Sequence, residues 1–400
     1  MSRILPDFLD AFMDWTDGSL SPPRFRRWAG LSTISAALKR SVHTRIVRKT
    51  QYPNLYVILV GQPGSGKGVA MRFQKDLLVA TKTIKMTPAA VTKRSFIKAV
   101  EGSKDRTTNI VTGLTTDCCA ITGCIDELGT FLQENDMPFM EVLADLYDNP
   151  DVWDYSTQHV GEHHLENTTF NLIAGTQPRY IGRAFTQDAL EMGFPARLIM
   201  VYDDPVGRVA SLFSEDSLEA EKLEMEEKLG HDLNQITLMN GEYVWDSAAR
   251  DELEAWYQRD LHPIPADSRF EHYNTRRLAH ITKLTMLVSS SRSSDLIMTL
   301  EDLRRAKEIL LDAEAFMPRA ISRMGANPIR QYMINAVKVI GLYCNDPGND
   351  KKKGMPEHRL RAIMGQDIEP RYMLLTISEL IAQKAIKSVG EEPNRFFWPR

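Results

Sequence analysis

An α/β fold, a parallel sheet flanked by helices, is the fold class this sequence predicts, and three observations predict it. Leu55 to Val60 is an apolar run that alternates too little for a half-wet edge strand, so it fits a central strand buried on both faces. Gly61-Gln62-Pro63-Gly64-Ser65-Gly66-Lys67-Gly68-Val69 follows at once, and Val69 to Leu78 has helix-forming character. Residues 51 to 205 then alternate strand-like and helix-like segments.

Before that core, the first twenty residues read as an amphipathic helix, with Ile4, Phe8, Phe12 and Trp15 near helical spacing. Residues 21 to 50 hold eight Lys or Arg and no acid, with a helix from Trp28 to Leu38 and a strand from Val42 to Val47. Two readings of these charges stand side by side, a nucleic-acid contact and a solvated face. A mostly helical stretch runs from about 210 to 325, and Gly325 and Pro328 mark a boundary before a last small unit. The expected segments are therefore 1–50, 51–208, 209–326 and 327–400.

Composition bounds the class. Four hundred residues at 43% hydrophobic bury at least one full core, and a formal charge of −4 gives no global nucleic-acid signature. Cys118, Cys119 and Cys124 sit among apolar neighbours and read as a buried strand rather than a metal site. No apolar run spans a membrane, and Asp7, Asp10 and Asp14 replace the basic start of a signal peptide, so an intracellular, cytoplasmic protein is expected.

Strand, glycine loop and helix together make a phosphate-binding loop. Gly61, Gly64 and Gly66 let backbone N–H groups turn inward without Cβ clashes, and Pro63 and Ser65 complete the turn. Lys67 reaches the β- and γ-phosphates of ATP, at a helix N-terminus that favours negative charge. The usual Ser or Thr that ligates Mg²⁺ is replaced by Gly68, followed by Val69, so the ion is left to water and acidic side chains. Adenylate kinases also place glycine after the lysine, which supports a rival reading as a nucleoside monophosphate kinase.

About sixty residues on, Ala120 to Ile125 is an apolar strand ending in Asp126-Glu127. Asp126 would hold hydrated Mg²⁺ and Glu127 would orient or deprotonate the attacking water. A helix from Pro138 to Tyr147 precedes two strands, Trp153 to Gln158 and His164 to Phe170, with His159-Val-Gly161-Glu162 as the turn of a hairpin. His159, His163 and His164 lack cysteines and alternate across a strand, so a hairpin tip on DNA or a plain solvated hairpin fits better than a metal site. The next strand, Phe170 to Ala174, ends near Gln177, placed to position water, or merely to satisfy a turn. Arg197 stands just before the strand Leu198 to Val201, where it can neutralise a neighbouring subunit's γ-phosphate or pair with a local acid.

The order Lys67, Asp126-Glu127, hairpin, Gln177, Arg197 resembles an AAA+ ATPase module of the branch with a hairpin before the sensor strand, as in minichromosome-maintenance replicative helicases. Asn274 to Leu284 is similar to the lid helix with that family's second sensor arginine, at Arg276, and Thr299 to Leu310 to the lid's last helix, opened by a capping box at Thr299 and Asp302. Trp28 to Leu38 with Tyr52 to Tyr56 resembles replication ATPases of phages and mobile elements. The resemblance covers about residues 25 to 400, and departs from the family at Gln177, where asparagine is usual, and at Gly68.

After residue 330, three helices (Arg330 to Cys344, Pro356 to Met364, Glu369 to Ile386) and a hairpin (Ile386 to Val389, Arg395 to Trp398) follow winged-helix order. Residues 330 to 400 hold twelve Lys or Arg against eight Asp or Glu, a net of +4. Lys351 to Lys353, Arg359, Arg361, Arg371 and Arg395 are candidates for phosphate contact, and a protein-binding wing is the competing reading. The whole implies an AAA+ core with helical lid and C-terminal winged helix. Such a protein is an ATP- and Mg²⁺-dependent replicative DNA helicase from a phage or mobile element. The resemblance implies a ring, expected to be hexameric, with single-stranded DNA in the pore and duplex or fork at the winged helix. The rival from another class is a nucleotide-switched helicase loader or initiator.

Overall fold

A computed structural model describes the chain except residues 1, 109–114, 158–160, 187, 188, 190, 192, 206–215, 260–267, 322–327, 350–353, 366–369, 391–393 and 400. Contacts divide it into two compact units, Met1–Gly325 and Ala326–Arg400. The segments read from sequence as 1–50, 51–208 and 209–326 pack together as the first of these.

Its opening helices are α1 (Phe8–Trp15), capped by the Asp7 side chain, and α2 (Pro23–Leu38), which starts on proline. The amphipathic helix expected over twenty residues is confined to eight, and Ile4 lies exposed outside it. Phe8, Leu9, Phe12 and Trp15 are buried, and Gly30 admits them: a Cβ there would stand 2.8 Å from Leu9 Cδ1. Neither reading of the basic segment holds for three of its arginines. Arg26 and Arg40, each with a side chain 6% exposed, pair with Asp17 and Asp151, and Arg24 pairs with Asp203 and Asp312.

The core then runs β1 (Val42–Ile46), β2 (Lys49–Gln51), β3 (Tyr56–Val60), α3 (Lys67–Thr81), α4 (Lys93–Glu101), β4 (Lys104–Thr108), β5 (Thr115–Ile125), α5 (Leu128–Phe131), α6 (Met137–Tyr147), β6 (Val152–Thr157), β7 (Gly161–Glu166), β8 (Thr168–Thr176), α7 (Pro178–Ala184) and β9 (Ile199–Tyr202). Five strands form one sheet in the order β4-β5-β8-β3-β9, parallel except that β4 runs antiparallel to β5. β3 is buried throughout because the sheet is covered on both faces. Val57 and Leu59 enter one apolar cluster with Ile173, Ile199 and residues of α1 to α3, while Tyr56, Ile58 and Val60 enter a second with Phe170, Leu172 and residues of α6. A polar thread crosses the first cluster: Asn171 Oδ1 accepts from Ser35 Oγ at 2.7 Å and from the Leu55 N–H at 3.0 Å. This thread ties α2 to the central strands with its buried polar atoms satisfied.

β6 and β7 form a separate antiparallel ladder, the hairpin expected ahead of β8. Its tip, His159 included, lies outside the described residues. The strand expected from His164 to Phe170 is instead broken after Glu166 by Asn167 at φ 49°, a left-handed conformation that asparagine tolerates. α4 and β4 are additions, and β5 starts at Thr115, ahead of the cysteines already read as buried strand, because the polar residues Thr115 to Asp117 pair with polar β4.

Helices follow in the first unit: α8 (Asp216–Thr237), α9 (Ser247–Arg259), α10 (Glu271–Arg292) and α11 (Leu300–Ala320), with the short strands β10 (Gly241–Glu242), β11 (Val244–Trp245) and β12 (Ile297–Met298) between them. α11 begins at the capping box read from Thr299 and Asp302. The second unit contains α12 (Pro328–Asn345), β13 (Met355–Pro356), α13 (Glu357–Met364), α14 (Pro370–Ala382), β14 (Ile386–Val389) and β15 (Phe396–Pro399), with a sheet ordered β13-β15-β14. Buried Glu357 staples it, accepting from Arg361 and from Arg395 Nε at 2.7 Å. Arg361 and Arg395, two of the candidate phosphate contacts, are thus engaged internally, and Lys351 to Lys353 lie outside the described residues. Among the described residues no helix is long and apolar enough to cross a membrane.

Candidate functional site: the glycine loop and the strand tips beside it

β3 ends at Val60 and the chain turns through the glycine loop into α3. The Gly61 N–H donates to Thr176 O at 3.1 Å, so the loop starts anchored to the tip of β8. Gly64 and Gly66 adopt φ 77° and 81°, which side chains disfavour. Gly66 has a second constraint: a Cβ there would lie 2.2 Å from Leu20 O and 2.7 Å from Ser21 Cα. The strap joining α1 to α2 is therefore seated on the loop. Ser21 Oγ is buried there without a hydrogen-bond partner among the described residues. Sequence reading missed this strap, because its residues carry no motif.

Lys67 is the first residue of α3. Its Nζ donates to Gly61 O at 2.8 Å, Gln62 O at 2.9 Å and Ser65 Oγ at 3.1 Å. Burial lowers the Lys67 pKa below the usual lysine value, and the Glu127 carboxylate opposes the shift. Gly68 faces open space, with nothing within 4 Å of an added Cβ, and Pro63 and Val69 flank the loop and first turn of α3.

Asp126 and Glu127 follow β5, next to β8. Ile125 pairs with Ala174, so continuing the register sets Asp126 beside Gly175 and Glu127 beside Thr176. Gly175 permits the approach, since a Cβ there would stand 2.6 Å from Asp126 O. Thr176 Oγ1 donates to Glu127 Oε1 at 3.4 Å. The polar residue that touches this carboxylate is thus Thr176, while Gln177, one position on, is the N-cap of α7 without a side-chain capping bond. The register of β5 against β8 is the signal that would have separated them. Lys67, Asp126, Glu127, Thr176 and Gln177 all lie at the carboxyl ends of adjacent parallel strands, where open α/β sheets bind ligands.

Arg197 and Arg276 lie elsewhere. Arg197 precedes β9, whose Ile199 pairs with Val57 near the start of β3, and both arginines donate to Asp148. Asp148 follows Tyr147, whose carbonyl accepts from Asn54 Nδ2 at 3.1 Å, just ahead of β3. At about 3.3 Å per strand residue, that end of β3 is roughly 20 Å from Gly61. The structure gathers these two arginines with each other and keeps them away from their own Lys67.

A nucleotide with its magnesium fits the loop on two observations. Positive φ at Gly64 and Gly66 is the backbone conformation from which anion-binding nests are built, and Asp126 is exposed at the neighbouring strand tip. Among the described residues no group of three or more His, Cys, Asp or Glu could hold a metal by itself, which includes His163 and His164. His163 is buried against Glu101 and His164 faces out to Asp154. No family model matches the chain, and no curated protein matches it.

Proposed function

We propose that the chain is an ATP-hydrolysing AAA+ motor that acts on DNA, a replicative helicase of phage or mobile-element type working as a ring. One observation carries the reading: Lys67, on a loop with two positive-φ glycines, shares the strand tips with the Glu127 carboxylate that Thr176 holds. Bound ATP with Mg²⁺ supplies the reactive phosphoryl group. Lys67 Nζ would exchange its three loop acceptors for β- and γ-phosphate oxygens, and Asp126 would hold the hydrated metal. Glu127 accepts a proton from the attacking water while Thr176 keeps its carboxylate oriented, and Gln177 stands one residue beyond as a water-positioning group. Arg197 and Arg276 serve the site of an adjacent copy. In this reading α8 to α11 form the lid, and the second unit, with helix-strand-helix-helix-strand-strand order, is a winged helix.

The test is ATP turnover with and without single-stranded DNA. Glu127→Gln should keep ATP binding and lower turnover roughly 100-fold or more, whereas Lys67→Ala should lose binding. Wild-type protein that binds ATP in neither condition overturns the proposal.

A second reading rests on α14. Its Leu374 and Leu375 are exposed, apolar side chains better suited to a protein surface than to a DNA groove. That favours a nucleotide-switched loader or initiator. Strand displacement by the purified protein alone, with ATP, decides between the two.

A further inference from the structure

Beside Asn54, at the amino-terminal end of β3, one carboxylate gathers three cations. Asp148 Oδ2 accepts from Arg197 Nη2 at 2.6 Å, and Asp148 Oδ1 accepts from Arg276 Nη1 at 3.1 Å and from Lys49 Nζ at 3.4 Å. The three differ in exposure: the Arg197 side chain is 11% exposed, Arg276 28% and Lys49 54%. Arg197 is tethered a second time, with Nη1 donating to Gly193 O at 2.8 Å. A guanidinium that buried and doubly held is a support. Arg276 and Lys49 have the freedom to meet a ligand, and both hang from the same Asp148 oxygen.

Three positive charges on one carboxylate leave the cluster under-neutralised, which suits an anion of multiple charge such as a phosphate chain. Buried Lys283 packs behind it, with Nζ donating to Asn54 O at 3.1 Å. The strand length between Asn54 and Gly61 puts the chain's own glycine loop out of side-chain reach. The anion must come from another molecule.

We infer that Asp148 is a positioning residue, that Arg276 and Lys49 are the groups it offers to the phosphates of a nucleotide bound by a second copy of this chain, and that Arg197 braces Asp148 from behind. This rests on the ATPase reading above and changes it in two ways: Lys49 joins the phosphate contacts, and Arg197 acts through Asp148.

The experiment uses full-length protein and ATP with Mg²⁺. Asp148→Asn and Lys49→Ala should each bind ATP as wild type does in equilibrium titration, because their own glycine loop is intact. Turnover should fall about 100-fold, the scale of a misplaced reacting group. Mixing either variant with Lys67→Ala should restore turnover, since the Lys67→Ala copies still present intact cations to their neighbours. Lys49→Arg should retain most of the rate. Lys49 is exposed, so its variants keep the test decisive even if Asp148→Asn fails to fold. Wild-type turnover in Lys49→Ala, or no recovery on mixing, overturns this inference and leaves the ATPase reading standing. Undiminished ATP binding by Lys67→Ala overturns the ATPase reading itself.

Discussion

At the residue scale, the position after Lys67 is the chain's clearest departure from common phosphate-loop chemistry. Gly68 leaves room for a hydroxyl, since a Cβ there meets nothing within 4 Å. Gly68→Ser should therefore fold normally and tighten ATP binding in Mg²⁺ but not in EDTA, by up to about tenfold, the worth of one good hydrogen bond to a charged partner. Equal affinities with and without metal would remove Gly68 from the account of the metal site. Thr176→Val keeps shape and deletes the donor to Glu127, so turnover should fall about tenfold with ATP affinity unchanged. Lys67, Asp126 and Glu127 were legible because each is a chemical group at a fixed distance from an apolar run. Thr176 was not, because its role depends on how β8 pairs with β5 and not on its own neighbours in sequence.

At the element scale, α10 shows where periodicity fails. From His280 to Ser291 it is buried on every side, so no apolar stripe marks its orientation, and a residue near its start such as Arg276 cannot be placed from sequence. The packing strands titratable groups inside. His280 Nε2 lies 3.1 Å from Ala196 O and Nδ1 lies 3.3 Å from the Tyr147 hydroxyl, a pattern met by a neutral ring donating from Nε2. Burial lowers its pKa from 6.5 to about 3. A folded pKa below the unfolded one leaves stability untouched above pH 6.5 and erodes it as pH falls, because the unfolded chain takes up the proton first. At pH 5 the loss from this group is about 2 kcal/mol relative to neutral pH. Chemical denaturation of wild type and His280→Gln at both pH values checks it, and parallel pH slopes would refute it. On the neighbouring face, Glu314 is buried and accepts from Arg277 Nε and Nη2, each at 2.8 Å. Arg277→Met leaves that carboxylate uncompensated and should destabilise the fold by about 3 to 5 kcal/mol.

At the scale of the whole molecule, the sequence boundary near 330 and the divide between the two compact units agree to within a few residues. The second unit has its own core, built on Ile340, Met355, Leu360, Ile377 and Phe397. Expressed alone, residues 326–400 should give a cooperative melt, and a spectrum without fixed structure would refute that. Its three helices and closing hairpin were readable from apolar spacing. β13 was not, being two residues long. Less was readable at the front of the chain, where a basic stretch suggested a surface and the fold instead spends Arg24, Arg26 and Arg40 on internal pairs. The reason is that charge counts are blind to partners supplied by distant segments. The strap from Asp17 to Ser21 carries the same lesson furthest. It walls the glycine loop at Gly66 from more than forty positions upstream, linked to that loop by folding alone. A protease nick between Gly18 and Leu20 would leave every loop residue uncut and still loosen the wall at Gly66, so elastase-like clipping at this corner and loss of the proposed nucleotide binding should march together.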